Sequence, residues 1–357
     1  MNTTFASSIA PAAMAPPEEG RRLATRIFHV VVAINGALTL FCVLAAFTGF
    51  GAGIAGQFVF NVETAWRLGF ALVFFNGVWA VIWYGVKALL LRAFVGMSRE
   101  DRRQAFSSRM SGSFDLQSLL ARYSERRIRI VDMIGRRGRF VSLAMALVYF
   151  LYTTIAAKPS GNFASAFTAH TVLDAVIVNW VFIALFHVNG FFGGVFYGAA
   201  ARIMDGSLGR ANVMVISTLW ALFKFTMIPI GAQLQTLYAP EHFALMFALI
   251  WGTYLVVDTM AEVGGSLYGT MKIRVRGVGE VNRKSIAGTV TGLASGLAFS
   301  VGLVVMNGLP GSYIALAVTL AVSSSALELA SPRGTDDFTM ATANALICWA
   351  FGAWVIS

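Results

Sequence analysis

The chain has 357 residues, of which 57% are hydrophobic and only 12% charged, and its mean hydropathy is +0.71. Soluble domains carry about 25% charged residues, so a water-soluble globular protein is excluded. The excess of 27 Lys and Arg over 17 Asp and Glu gives a net charge of +10. In an integral membrane protein such an excess gathers in cytoplasmic loops and faces anionic headgroups, so membrane lipid rather than nucleic acid is the expected partner. Cys42 and Cys348 both lie inside apolar runs and read as packing residues.

In chain order, residues 1–26 are small and polar, with three arginines and no apolar period, and read as a disordered cytoplasmic tail. The apolar run that follows, 27–53, is too long for a signal peptide and long enough to span. Further runs at 66–91, 140–157, 171–201, 211–236, 242–263, 286–307, 312–330 and 339–357 bring the expected count to nine spans in an all-α fold. The basic residues fall on alternate sides of these spans, which places the N-terminus inside and the C-terminus outside. Organisation then follows: a tail (1–26), two spans (27–91), a basic cytoplasmic segment (92–139), three spans (140–241) and a C-terminal core of four spans (242–357).

The 92–139 segment holds twelve arginines. Leu116, Leu119, Leu120, Tyr123, Ile130 and Ile134 recur at helical steps among Arg122, Arg126, Arg127 and Arg129. This pattern predicts a helix lying in the interface with its arginines on lipid phosphates, a topological anchor more than a docking site. Within the spans, Lys87 is near an end and is expected to snorkel. Asp174, Asn179, His187, Asn189 and Lys224 are costlier in a bilayer. His187 and Asn189, beside Gly190, Gly193 and Gly194, read as a packing surface with an interhelical hydrogen bond, and Lys224 calls for a partner.

The densest chemistry lies in the last third. Asp258 and Glu262 stand four residues apart on one helix face, followed by Gly264, Gly265 and Gly269, a basic stretch from Lys272 through Arg283 and Lys284, and then Ser285, Gly288 and Thr289 entering the next span. Glycines let backbone N–H groups approach phosphate oxygens, a lysine supplies a point charge, and hydroxyls at a helix start add donors. These residues outline a polyphosphate site, although neither a Walker A nor a dinucleotide fingerprint occurs. Glu328 and the pair Asp336 and Asp337 bring further carboxylates to the same side. With Asp258 they form a candidate ligand set for Mg²⁺. The plainer reading of the pair is a solvated turn in which Asp336 or Asp337 is the N-cap of the last helix.

At these residues the chain resembles the polyprenol kinase family, which includes dolichol kinase, phytol kinase and CTP-dependent diacylglycerol kinase. The resemblance is carried by DTMAEVGGSLYG from Asp258, by NRKSIAGTVTG at 282–292 and by ELASPRGTDDFTMATANAL at 328–346. It departs from the family pattern at Val257, Ala287 and Phe338. What the resemblance implies is an inner-membrane enzyme that uses CTP with Mg²⁺ to phosphorylate the hydroxyl of a lipid alcohol such as phytol, dolichol or another polyprenol on the cytoplasmic side. Asp258, Lys284, Asp336 and Asp337 are its expected catalytic residues. Gly264, Gly265, Gly269, Lys272, Arg283, Lys284, Ser285, Gly288 and Thr289 would bind the nucleotide, and Asp258, Glu328, Asp336 and Asp337 the metal. A diacylglycerol kinase, a nucleotidyltransferase, and a transporter with Asp174, His187 and Lys224 along its path are the alternatives. No inverted repeat is seen, and the polar residues gather at one edge, which favours interfacial chemistry.

Overall fold

A computed structural model describes residues 17–48, 62–107, 114–151, 179–188, 191–238, 240–276, 283–332 and 334–356. Among them α1 is Pro17–Thr48, α2 Val62–Ala93, α3 Arg99–Ser107, α4 Leu116–Arg122 and α5 Glu125–Leu151. Next come α6 at Asn179–Leu185 and α7 at Phe191–Ala200. A 3₁₀ turn at Ile203–Leu208 leads into α8, Gly209–Leu237. The C-terminal core holds α9 (Pro240–Tyr268), the strands β1 (Lys272–Arg274) and β2 (Arg283–Ser285), then α10 (Ile286–Met306), α11 (Gly311–Ala330) and α12 (Asp336–Phe351).

Six helices among the described residues are long and apolar enough to cross a membrane: Arg22–Cys42, Ile203–Gly231, Leu245–Tyr268, Ile286–Met306, Gly311–Ala330 and Asp336–Val355. The chain is therefore a helical membrane protein; the nine spans expected from hydropathy run in part over residues outside those described. The run at 171–201 is one of these. Its described part is α6 and α7, of 7 and 10 residues, parted by a break at Phe186 to Val188. Arg210 donates to the carbonyls of Phe186 and Val188 at 2.8 and 2.9 Å, satisfying backbone that the break leaves open. His187 is exposed in that break, its ring 4.8 Å from Phe28 and 4.9 Å from Phe186. Asp174, Asn189 and Gly190 lie outside the described residues.

Two other expectations change. Lys87 does not snorkel: it is fully buried, 2.8 Å from Asp132 and donating to the carbonyl of Ala201. The reason is that α2 packs along α5, which brings a carboxylate within reach. The basic segment turns its apolar face to protein. Leu116, Leu119, Ile128 and Val131 are buried with Leu91, Met97 and Phe106 in one apolar cluster. Its arginines bond to protein: Arg122 to Asp101, Arg126 to the carbonyl of Leu267, Arg127 to that of Phe94 and Arg129 to Glu125. The same stretch then runs unbroken into the third apolar run as α5. Asn179 joins a buried network, donating to Asn35 at 2.7 Å and accepting from Ser217, while Asn35 donates to Thr218. Lys224 is buried with its ammonium 5.8 Å from the Trp220 ring.

The core that carries the site is α9 to α12. Its helices alternate in direction, so the C-terminal ends of α9 and α11 and the N-terminal ends of α10 and α12 share one end. Leu249, Ile250 and Tyr254 of α9 belong to one buried apolar cluster with Leu316 and Leu320 of α11 and Met340, Ala341 and Ala345 of α12, which fills the interior of the bundle.

Candidate functional site

Four chain ends meet at that shared end. Ser285 caps α10, its hydroxyl accepting from the Gly288 N–H at 3.0 Å, as a serine preceding an apolar helical run should. The N-cap residue of α12 is Thr335 rather than Asp336 or Asp337, which stand instead in the first turn, where carboxylates suit the helix dipole. Gly334, at φ +92, makes the preceding turn, and a Cβ there would meet Asn212 Oδ1 at 2.6 Å.

Asp258 on α9, Glu328 on α11 and Asp336 on α12 place carboxylate oxygens within 4.8 Å of one another. Lys284, the last residue but one of β2, reaches among them: its ammonium is 3.0 Å from Glu328 Oε2 and 3.3 Å from Asp336 Oδ2, and also donates to the Glu328 carbonyl. Burial alone would lower the Lys284 pKa, but Asp336 and Glu328 outweigh it and the net shift is upward. On the other side Arg137 of α5 binds Asp258 twice, through Oδ2 at 2.6 Å and the carbonyl at 3.0 Å, and reaches Glu262 at 2.5 Å. Arg136 stands 3.8 and 3.7 Å from the same two carboxylates, and Arg202 is 3.0 Å from Glu262. The Arg136 guanidinium is held above its usual pKa because Glu262 and Asp258 overcome the effect of burial.

A cleft of about 850 Å³, measured out to its open mouth, runs from this cluster. Asp258, Glu262, Glu328 and Asp336 line it from the α9, α11 and α12 side. Lys272, Arg283, Lys284, Ser285, Gly288 and Thr289 line it from the hairpin and the start of α10, and Arg129, Asp132 and Arg202 close it. The hairpin pairs Lys272 with Ser285 and Arg274 with Arg283, folding the basic stretch back over the cleft. Lys272 sits 3.7 Å from Glu125. Its pKa is lowered, first by burial and then by Arg129, against the pull of Glu125.

Most of the residues singled out from sequence thus share one cleft, with two corrections. Gly264 and Gly265 are not in a loop, because α9 continues to Tyr268 and their backbone is helical, although Gly265 does line the cleft. They serve a close helix crossing. A Cβ at Gly264 would collide with Thr291, one at Gly265 would lie 2.9 Å from Ser285 Oγ, and one at Gly269 would collide with the Gly265 carbonyl. Gly288 and Gly292 complete the crossing: a Cβ on each would lie 2.5 Å from the Ala261 carbonyl and 2.8 Å from that of Val257. Small residues let backbones approach where apolar burial gives no drive. Asp337 is the second correction. It is outside the triad and does not line the cleft, but accepts from Trp220 Nε1 at 3.3 Å.

Sequence reasoning missed Arg129, Asp132, Arg136, Arg137 and Arg202. The signal was present: Arg129, Asp132 and Arg136 fall at i, i+3 and i+7, one face of a helix. Searches against protein-family models, curated proteins and solved structures returned no match to this chain.

Proposed function

We propose that the chain is a membrane lipid-alcohol kinase, which transfers the terminal phosphoryl group of a nucleoside triphosphate, CTP first among them, to an isoprenoid alcohol. The observation that carries this reading is the convergence of Asp258, Glu328 and Asp336 from three helices around Lys284, at the head of a cleft whose opposite wall is basic. Phosphoryl transfer asks for little else than charge neutralisation and positioning.

The donor set fits Mg²⁺, a hard ion that accepts a few carboxylates plus phosphate oxygens. Three carboxylate oxygens from three helices lie within 4.8 Å of one another, close enough for rotamer changes to bring them onto one ion. Asp258, Glu328 and Asp336 would hold it, and when bound it supplies charge that offsets the β- and γ-phosphate oxygens. Lys284, Arg283, Lys272 and Arg129 would grip the remaining phosphate charge, and Ser285 and Thr289 offer hydroxyls at the start of α10. The alcohol oxygen bonds to the terminal phosphorus as the bond to the bridging oxygen breaks, giving a lipid phosphate, a nucleoside diphosphate and a proton. The excess of arginine at this end supports a cytoplasmic, inner-membrane orientation for the site.

The test is turnover by purified protein in lipid micelles with Mg²⁺, offering CTP, ATP, GTP and UTP against isoprenoid alcohols and diacylglycerol, read by mass spectrometry. A phosphorylated isoprenoid alcohol formed with CTP is the expected product. Phosphorylated lipid absent with every nucleotide overturns the reading, and pyrophosphate release would reassign it to nucleotidyl transfer.

A further inference from the structure

Behind the carboxylate triad, away from the cleft, lies a second polar group that the triad does not use. Asp337 is 4% exposed and Tyr254 is fully buried. Trp220 Nε1 donates to one oxygen of Asp337, but the other, Oδ1, makes no hydrogen bond with any described residue, nor does the Tyr254 hydroxyl. Burying a polar atom unpaired costs about 1–3 kcal/mol. Here two such atoms, one acceptor and one donor, occur together. Both flank the Trp220 ring, whose centroid is 6.1 Å from that of Tyr254. Tyr254 is one turn before Asp258 on α9, and Asp337 adjoins Asp336 on α12, so both flank the triad from within the bundle. The surrounding walls are aromatic: Trp251 lies 5.2 Å from Trp220, and Phe223 and Phe247 lie 5.1 and 5.6 Å from Trp251. Trp220 itself stays partly exposed.

The geometry points to Asp337, Tyr254 and Trp220 as the seat of the acceptor alcohol's hydroxyl. This inference rests on the kinase reading and assigns Asp337 to the lipid rather than to the metal. An alcohol O–H is one donor and one acceptor. It donates to Asp337 Oδ1 and accepts from the Tyr254 hydroxyl, entering past Trp220, while its chain lies among the aromatic rings. The hydroxyl oxygen is then delivered beside Asp258 and Asp336 from the apolar side, opposite the nucleotide's entry from the cleft.

Fluorine NMR of the full chain carrying fluorotryptophan, in lipid nanodiscs, tests this without turnover. The Trp220 resonance is identified by its loss in Trp220→Phe. Geranylgeraniol, farnesol and dioleoylglycerol are each titrated beside their methyl ethers, which lack the donor. Expected is a saturable shift of Trp220 with an isoprenoid alcohol and none with its ether, with binding weakened roughly tenfold in Asp337→Asn and in Tyr254→Phe, as loss of one hydrogen bond to a charged or buried partner implies. If Asp337→Asn does not fold, Tyr254→Phe carries the test. A Trp220 shift that ethers produce equally, no shift with any alcohol, or unchanged binding in the folded variants overturns the seat. Turnover of an alcohol that leaves Trp220 and both variants unaffected sinks the seat alone. A Trp220 shift in a protein that phosphorylates nothing sinks the kinase reading alone.

Discussion

Arg137→Gln tests the electrostatics that hold the site together. The arginine sits 2.6 Å from Asp258 and 2.5 Å from Glu262, and all three side chains are largely covered. At an effective dielectric near 20, each contact is a Coulomb attraction of about 6 kcal/mol before desolvation is subtracted. Removing one partner of a buried pair costs about 3–5 kcal/mol because the abandoned charge stays buried. The lower end applies here, about 3 kcal/mol, since Arg136 remains at 3.8 and 3.7 Å and Arg202 at 3.0 Å. The measurement is equilibrium unfolding in mixed detergent micelles, followed by tryptophan fluorescence. The double variant Arg137→Gln with Asp258→Asn should lose about 2 kcal/mol less than the sum of the singles, because the second change removes the charge that the first stranded. A single-variant loss below about 1 kcal/mol, or additive singles, would show that the guanidinium does not clamp Asp258 and would refute the reasoning.

Three more expectations follow from other parts of the molecule. Lys284→Ala and Asp258→Asn should each abolish lipid phosphorylation while the protein still inserts and purifies; full activity in both would remove the site. Gly292→Val should destabilise by about 1–3 kcal/mol, since its Cβ would stand 2.8 Å from the Val257 carbonyl and 3.1 Å from the Ala261 Cβ, whereas Gly302→Ala, with nothing within 4 Å, should be neutral or gain up to about 1 kcal/mol; thermal unfolding of the pair separates packing from helix propensity. Burial pushes the Asp101 pKa up, but hydrogen bonds from Tyr123 and Ser98 at 2.6 and 2.7 Å and the Arg122 ion pair outweigh it, so the carboxyl is held below its usual value. Its stabilisation is therefore full above the unfolded value of about 3.9 and lost as pH falls through the lower folded one. Amide exchange across α3 and α4 should speed up in that window in the native chain, and Asp101→Asn should remove the dependence.

What was readable in the sequence was whatever depends on pattern along one helix. The apolar runs at 286–307 and 312–330 became α10 and α11 almost to the residue, and Ser285 stands where a cap should. Asp258, Glu328, Asp336 and Lys284 were found because alternating spans return their ends to one side, which needs no tertiary contact to infer. What was not readable depends on which helix lies beside which. A glycine that cradles phosphate and a glycine that admits a neighbouring backbone look alike, and only the α9–α10 crossing shows that Gly264, Gly288 and Gly292 do the second.

The same limit hid the arginines, and it changes what the basic segment is. The excess of positive charge on one side indicates orientation, not the partner of each charge. Read alone, Arg136 and Arg137 belong to a loop that faces lipid. In the fold they are the counter-charges without which Asp258 and Glu262 would lie buried in like-charged company with Glu328, Asp336 and Asp337. A bundle of apolar helices can assemble five carboxylates at one end only if cations are delivered to them, because unpaired ions are costly there. Lys284 comes from the hairpin inside the core, but the larger share comes from α5 and Arg202, outside it. The acidic site is therefore not a property of the last four helices alone: it exists as a covered, hydrogen-bonded centre because the helix that ends the basic segment packs against α9.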